Sequence, residues 1–213
     1  MAKYLKTIKN ISQKYRLHIT GATCFGSFII GTGKLLTGFI ALSFFMCVSA
    51  FYTYGIVVAK LCIIKGMRSD SKKHYAYYRL TGIILIIASL LYAIYSARLL
   101  WKPENPRYNI YVGITIAAFT FTEIGVNIRG VIVERRNKKL LYHALKMVNL
   151  ASSLICLVLT QTALLSFTHE DMPSYNPSIS NGLMGIMMGI ICTLIGCYML
   201  IHIKNTEKKE TAL

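Results

Sequence analysis

One residue of this chain has the type and position to do chemistry inside an apolar environment: Glu123. It lies deep in an apolar stretch near residues 108–133, where a carboxyl group is costly to hold and reads by default as functional. Asn127 follows four residues later, on the same helical face. The next apolar stretch, packed antiparallel, would bring Asn149, Ser152 and Ser153 to a similar depth. Glu123, Asn127, Asn149 and Ser152 therefore form a candidate intramembrane polar site. Two chemistries fit it. The carboxyl can relay a proton or a solute, or it can stand, protonated, as a hydrogen-bonded strut between helices; the lack of a second deep acid in the sequence favours the strut. Thr160 and Gln161 read as further interhelical hydrogen-bonding groups.

The elements that must position these groups follow from where charge is missing. The chain has 24 Lys and Arg against 8 Asp and Glu, a net charge of +16, with 54% hydrophobic residues. The basic residues sit in short connectors between apolar stretches of spanning length, which argues for a multi-pass membrane protein and against a nucleic-acid partner. Five stretches qualify by length, near 40–64, 80–100, 108–133, 144–167 and 182–203. The connectors holding Lys65, Arg68, Lys72, Lys73 and Arg79, and Arg135, Arg136, Lys138 and Lys139, and the tail with Lys204, Lys208 and Lys209, should all face the cytoplasm.

Five spans would leave the basic N-terminus outside. A sixth, about residues 17–37, removes the conflict if Lys34 near its outer end snorkels to the interface and neighbouring helices support Gly21, Gly26, Gly31, Gly33 and Gly38. The expected fold is all-α: a six-helix transmembrane bundle in the cell membrane with both termini cytoplasmic. The alternative is five spans plus a basic amphipathic N-terminal helix. Residues 1–16 interleave Lys with Tyr4, Leu5, Ile8 and Ile11, the pattern of a basic amphipathic segment on the anionic inner leaflet; residues 204–213 form a basic tail. No cleavable signal peptide is apparent, and Thr168–Asn181 reads as an exposed outer loop.

Small residues Gly182, Gly185, Gly189, Cys192 and Gly196 recur at spacings of three and four, a seam on which another helix can pack closely. That helix is expected within the chain, with a homodimer or another membrane partner as the alternative. The aromatics Tyr75, Tyr77, Tyr78, Tyr92, Tyr95, Trp101, Tyr108 and Tyr111 cluster at span ends and suggest interfacial belts. Cys24, Cys47, Cys62, Cys156, Cys192 and Cys197 all fall in or beside apolar stretches, as buried thiols do, and lack metal-ligand spacing. No cofactor is implied, and no nucleophile–base set, phosphate loop or metalloprotease motif argues for an enzyme.

The order of features resembles the transmembrane domain of the cation diffusion facilitators over nearly the whole chain. Lys34-Leu-Leu-Thr-Gly38 followed by Ser43, Tyr75-Ala-Tyr-Tyr-Arg79-Leu80, Pro103, and Leu141 to Ser153 carry the resemblance. It implies six spans with both termini inside, and a divalent-cation site on spans two and five. At the corresponding positions stand Tyr52 and Ile56, and Val148 and Ser152. Those residues cannot form a tetrahedral zinc site, and spans two and five contain no Asp or Glu. The resemblance thus leads to a transporter-like protein that does not move divalent metals, with a membrane scaffold or accessory subunit, or a cation transporter with an atypical site, as alternatives.

Overall fold

The computed structural model describes residues 2–40, 42–70, 73–103, 110–134, 139–171 and 177–211, with side chains from 17 to 207 except 110, 112, 130, 131, 133, 134 and 166–171. Among them the chain forms six helices and no strand: α1 (Ala2–Ile40), α2 (Phe44–Arg68), α3 (His74–Trp101), α4 (Ile110–Glu134), α5 (Leu140–Asp171) and α6 (Pro177–Thr211). All-helical structure is the expected outcome for such a sequence, because only intra-segment bonds satisfy a backbone that has no water around it. Among the described residues, five segments are long and apolar enough to cross a membrane: Leu17–Ile40, Phe44–Arg68, His74–Trp101, Leu140–Leu165 and Pro177–Glu207. The sixth helix, α4, is 25 residues long, about 37 Å at 1.5 Å per residue.

The glycine-interrupted first span is a continuous helix, without a break at Leu17. The side chains of residues 1–16, and with them the amphipathic reading of that segment, lie outside the described residues. Ser43 N–H donates to Gly38 O (2.9 Å) and Leu42 N–H to Phe39 O (3.3 Å), with Leu42 left-handed at φ 50°. These paired bonds make a Schellman stop. Ser43 then caps α2 by accepting from Met46 N–H at 3.4 Å, so α1 and α2 reverse within a few residues. Gly38 is needed there, because a Cβ would stand 2.9 Å from Cys47 Sγ. At the opposite corner, α5 runs to Asp171 and α6 starts at Pro177, so most of the expected Thr168–Asn181 loop is helical. Proline suits a first helical turn, which has no use for its missing N–H.

α2 and α5 are central. More than half of each one's apolar stretch is buried, against a third or less for α1, α3 and α6. On one side α1 and α4 complete a four-helix group with them; on the other, α3 and α6 form the closest pair in the molecule and pack onto the same two helices. The α3/α6 side is apolar, with Tyr52, Ile56 and Ile63 of α2 and Val148, Ile155 and Leu159 of α5 buried there among Tyr78, Leu85 and Met199. The outward faces remain apolar and exposed, as at Phe39, Ile94, Leu194 and Ile201, a surface that calls for lipid.

The glycine seam of α6 is filled from within the chain. A Cβ on Gly182 would stand 3.1 Å from Leu99 Cβ, one on Gly189 2.8 Å from Ala93 Cβ, and one on Gly196 2.6 Å from Ile86 Cγ1. Gly185 faces Ser96, and Cys192, fully buried, turns instead to α5, where its Sγ meets Ala151 O at 3.5 Å. All six cysteines are free thiols.

The aromatic belt needs correction. Trp101 and Tyr111 are exposed and Tyr95 partly so, but Tyr78 and Tyr92 are core residues. Tyr92 packs on Tyr52, their rings 5.5 Å apart, and the Tyr78 hydroxyl shares a 2.8 Å hydrogen bond with His143 Nδ1. His143, which stands alone in the sequence, lies stacked on His202 with ring centroids 4.8 Å apart. Burying a tyrosine costs little where its hydroxyl finds a partner, as that of Tyr78 does; the hydroxyls of Tyr52 and Tyr92 are buried without one among the described residues. Tyr108 lies outside the described residues.

Arg79 of α3 grips Glu207 of α6 at 2.9 Å, and a Cβ on Gly66 of α2 would touch both Tyr77 and Leu141. The ends that carry Lys65, Arg68, Lys73, Lys139 and Lys204 are thereby gathered at one pole, termed the basic end below. Because α6 packs on α3 without room for side chains, Gly189→Leu should lower thermal stability by about 1–3 kcal/mol through overpacking. Gly21→Ala, where nothing lies within 4 Å, should raise it by about 0.5–1 kcal/mol. Melting curves of the two variants in nanodiscs test both signs.

Candidate functional site

The second face of α2 and α5 is polar, and its spacing explains the site. Ser49, Thr53 and Lys60 recur on α2, and Asn149, Ser152, Cys156 and Thr160 recur on α5, at helical intervals of three, four or seven. α4 supplies Thr120, Glu123 and Asn127, and α1 supplies Thr20, Ser27 and Lys34. All except Thr160 are buried. Four helices thus turn their polar stripes inward and make a polar column in a protein whose outer surface is apolar.

At the middle of the column Lys34 Nζ contacts Glu123 Oε2 at 2.5 Å, an ion pair in which both side chains are 2% exposed. Lys34 also donates to Thr53 Oγ1 at 3.3 Å and lies 3.9 Å from Cys156 Sγ. Ser152 donates to the other carboxylate oxygen, Glu123 Oε1, at 2.8 Å. The Thr53 hydroxyl donates to Ser49 O at 3.0 Å, so its oxygen is free to accept from the ammonium. Every oxygen of Glu123 is used, which is the condition under which a buried ion pair is tolerated. The pair joins α1 to α4, two helices that otherwise touch little.

A second buried cation lies nearer the basic end. Lys60 of α2, fully buried, donates to Ser27 Oγ of α1 at 2.9 Å and to Asn127 Oδ1 of α4 at 3.5 Å. Neither partner carries charge. Beyond the ion pair toward the other pole, Thr160 donates to Thr120 at 3.1 Å, the interhelical bond expected of it.

Between α1 and α4 there is a cavity of about 720 Å³. Its walls run from Ile30 to Ile19 on α1 and from Ala118 to Arg129 on α4, with Leu145 and Asn149 from α5 behind. These helices run in opposite directions, so Ile19, Arg129 and Leu145 mark its basic-end limit, while Ile30, Ala118 and Phe119 mark the other. The inner limit is closed: a Cβ on Gly33 would stand 3.1 Å from the Phe119 ring, and the Lys34–Glu123 pair bridges the helices beside it.

All four expected site residues are thus buried in one region. Ser152 and Glu123 are hydrogen-bonded, Asn127 holds Lys60, and Asn149 lines the cavity with Glu123 and Asn127. Ser153 turns back to Asn149 O of its own helix. The reading of Lys34 is overturned. α1 continues six residues past Lys34, to Ile40, before it stops, so the ammonium is too deep to snorkel and turns inward to the carboxylate. Glu123 is accordingly one half of an ion pair and not a lone protonated strut. Sequence reasoning passed over Lys60, Thr53 and Ser27; a lysine four residues inside the end of an apolar stretch reads as a snorkelling residue, and the heptad Thr20, Ser27, Lys34 would have signalled the buried face. No protein-family model and no curated protein matches the chain.

Breaking one half of such a pair leaves an uncompensated buried charge. Lys34→Met is expected to destabilise by about 3–5 kcal/mol, and Lys34→Met combined with Glu123→Leu by much less than the sum of the single changes. A double-mutant cycle of thermal unfolding measures this coupling, and additive effects would show that the pair does not hold α1 to α4.

Proposed function

We propose that this chain is an integral membrane protein of transporter-like, cation-efflux-like fold, whose cavity admits a solute from the cytoplasmic side and which does not move divalent metal ions. The observation that carries this reading is the charge in the polar column. Counted formally, Lys34 and Lys60 contribute +2 and Glu123 −1, so the interior is left at +1. A divalent cation entering such a column meets net repulsion and a carboxylate already saturated by Lys34 and Ser152. Among the described residues no three His, Cys, Asp or Glu side chains come together in a metal-binding group.

The orientation rests on the basic end. Six crossings put both termini on one side, and the excess of Lys and Arg at that pole assigns it to the cytoplasm. In that orientation the cavity limit at Ile19, Arg129 and Leu145 is the one nearer the cytoplasm, and the other limit lies at mid-bundle beside the Lys34–Glu123 pair, which would have to part for a solute to pass. The glycine seam, the surface best suited to docking another protein, is occupied by α3, and this removes the main support for a scaffold.

Two measurements test the proposal. With Cys47, Cys62 and Cys197 replaced by alanine, Thr23→Cys should react with an impermeant maleimide in inside-out vesicles and not in right-side-out ones. Equal labelling from both sides would defeat the inward-open reading. Titration of zinc into the purified protein at neutral pH should give no saturable heat; a stoichiometric signal that Glu123→Gln abolishes would restore metal transport.

A further inference from the structure

The unpaired lysine has an arrangement that the ion pair does not explain. Lys60 Nζ is spent on two neutral oxygens, Ser27 Oγ and Asn127 Oδ1, and both residues line the cavity. Accepting from Lys60 turns the Ser27 proton away from the lysine, and among the described residues no acceptor takes it. The Asn127 amide is set the same way round. Its Oδ1 faces the ammonium, so its Nδ2 points away, and that nitrogen is buried without a partner in a residue 1% exposed. One buried cation therefore polarises two donors, from α1 and α4, toward a shared space. A buried donor with no acceptor is expensive, and two beside an uncompensated charge describe a place for an anion.

We infer that this cavity binds an amphipathic organic monocarboxylate, its carboxylate held by Ser27 Oγ–H and Asn127 Nδ2–H in the field of Lys60. The charge specifies a monoanion, since one negative charge brings the formal +1 of the column to zero. Much of the remaining wall is apolar, with Ile19, Ile29, Ile30, Phe119 and Val126 suited to the body; Thr20, Thr23 and Thr122 add hydroxyls, the Glu123 carboxylate on this wall is neutralised by Lys34, and 720 Å³ is the size of a small organic ligand's site. Arg129, exposed at the basic-end limit of the cavity, adds attraction for an incoming anion. Asn149 Oδ1, also unpartnered on this wall, has room for a ligand hydroxyl or a water. The inference shares the cavity with the proposed function but needs no movement of solute.

The test is equilibrium binding of radiolabelled 4-phenylbutyrate to the full chain in nanodiscs of neutral lipid, read by scintillation proximity. Unlabelled 4-phenylbutyrate should displace it, whereas 4-phenylbutanol and 4-phenylbutylamine, of the same shape but neutral and cationic, should not. Lys60→Met is expected to weaken binding at least tenfold. Ser27→Ala, which removes a single oxygen and keeps Lys60 and Asn127 in place as its partners, should weaken it severalfold, so the proposal stays testable if the lysine variant does not fold. Equal displacement by the alcohol, unchanged affinity in both variants, or displacement by phosphatidylglycerol alone would overturn it. The two readings fail separately. One-sided maleimide labelling without acid binding removes this site and keeps the transporter reading, while acid binding with labelling from both sides does the opposite.

Discussion

The structure depends on the cost of holding charge away from water. Lys34 and Glu123 neutralise one another at the centre of the polar column, and Thr53 and Ser152 take up the remaining hydrogen-bonding capacity around them. Their attraction is strong because the surroundings are apolar, and for the same reason neither could remain without the other. The pair therefore does more than fill space. It gives α1 and α4 a reason to stand together where their apolar surfaces scarcely meet, and the cavity is the gap that remains between two helices held by one polar contact.

α2 and α5 divide the molecule into two halves with different physics. Toward α3 and α6 they present branched aliphatic and aromatic side chains, and the glycines of α6 let its backbone approach α3 until added methyl groups would collide. Close packing of that kind supplies dispersion energy where lipid leaves no hydrophobic gain on association. Toward α1 and α4 the same two helices present hydroxyls, an amide, a thiol and a lysine, and packing is loose enough to leave about 720 Å³ open. One half has the character of a frame, and the other has the groups and the room to receive a ligand.

Much of this could be read without coordinates. Six helices follow from six apolar stretches and the parity of the basic connectors, although the helices overrun the expected spans: α5 extends to Asp171 and α6 to Thr211 because a helix need not stop where the hydrocarbon does. The glycine spacing on α6 announced a close helix contact, and Glu123, Asn127, Asn149 and Ser152 announced a polar site. The identity of the counter-ion was not legible. Lys34 and Glu123 are 89 residues apart, and nothing local to either distinguishes a lysine that reaches out to an interface from one that reaches in. Tyr78 and Tyr92 were misread in the same manner, since a tyrosine near a span end is compatible with a belt or with a core, and only the neighbours decide.

The sequence by itself determined the class of protein: an all-helical chain whose long apolar stretches suit a membrane, because hydropathy and backbone hydrogen bonding are properties of each segment alone. It also marked the deep acid as the centre of a polar site, though it favoured a hydrogen-bonded strut where an ion pair stands. Tertiary structure alone decided its partner. The energy of a buried charge depends on groups within a few ångströms of it, contributed here by α1, α2, α4 and α5, and that arrangement is a property of helix rotation and depth that no single segment encodes. The same packing left Lys60 facing two neutral oxygens, so that, counted formally, the column holds two lysines to one glutamate.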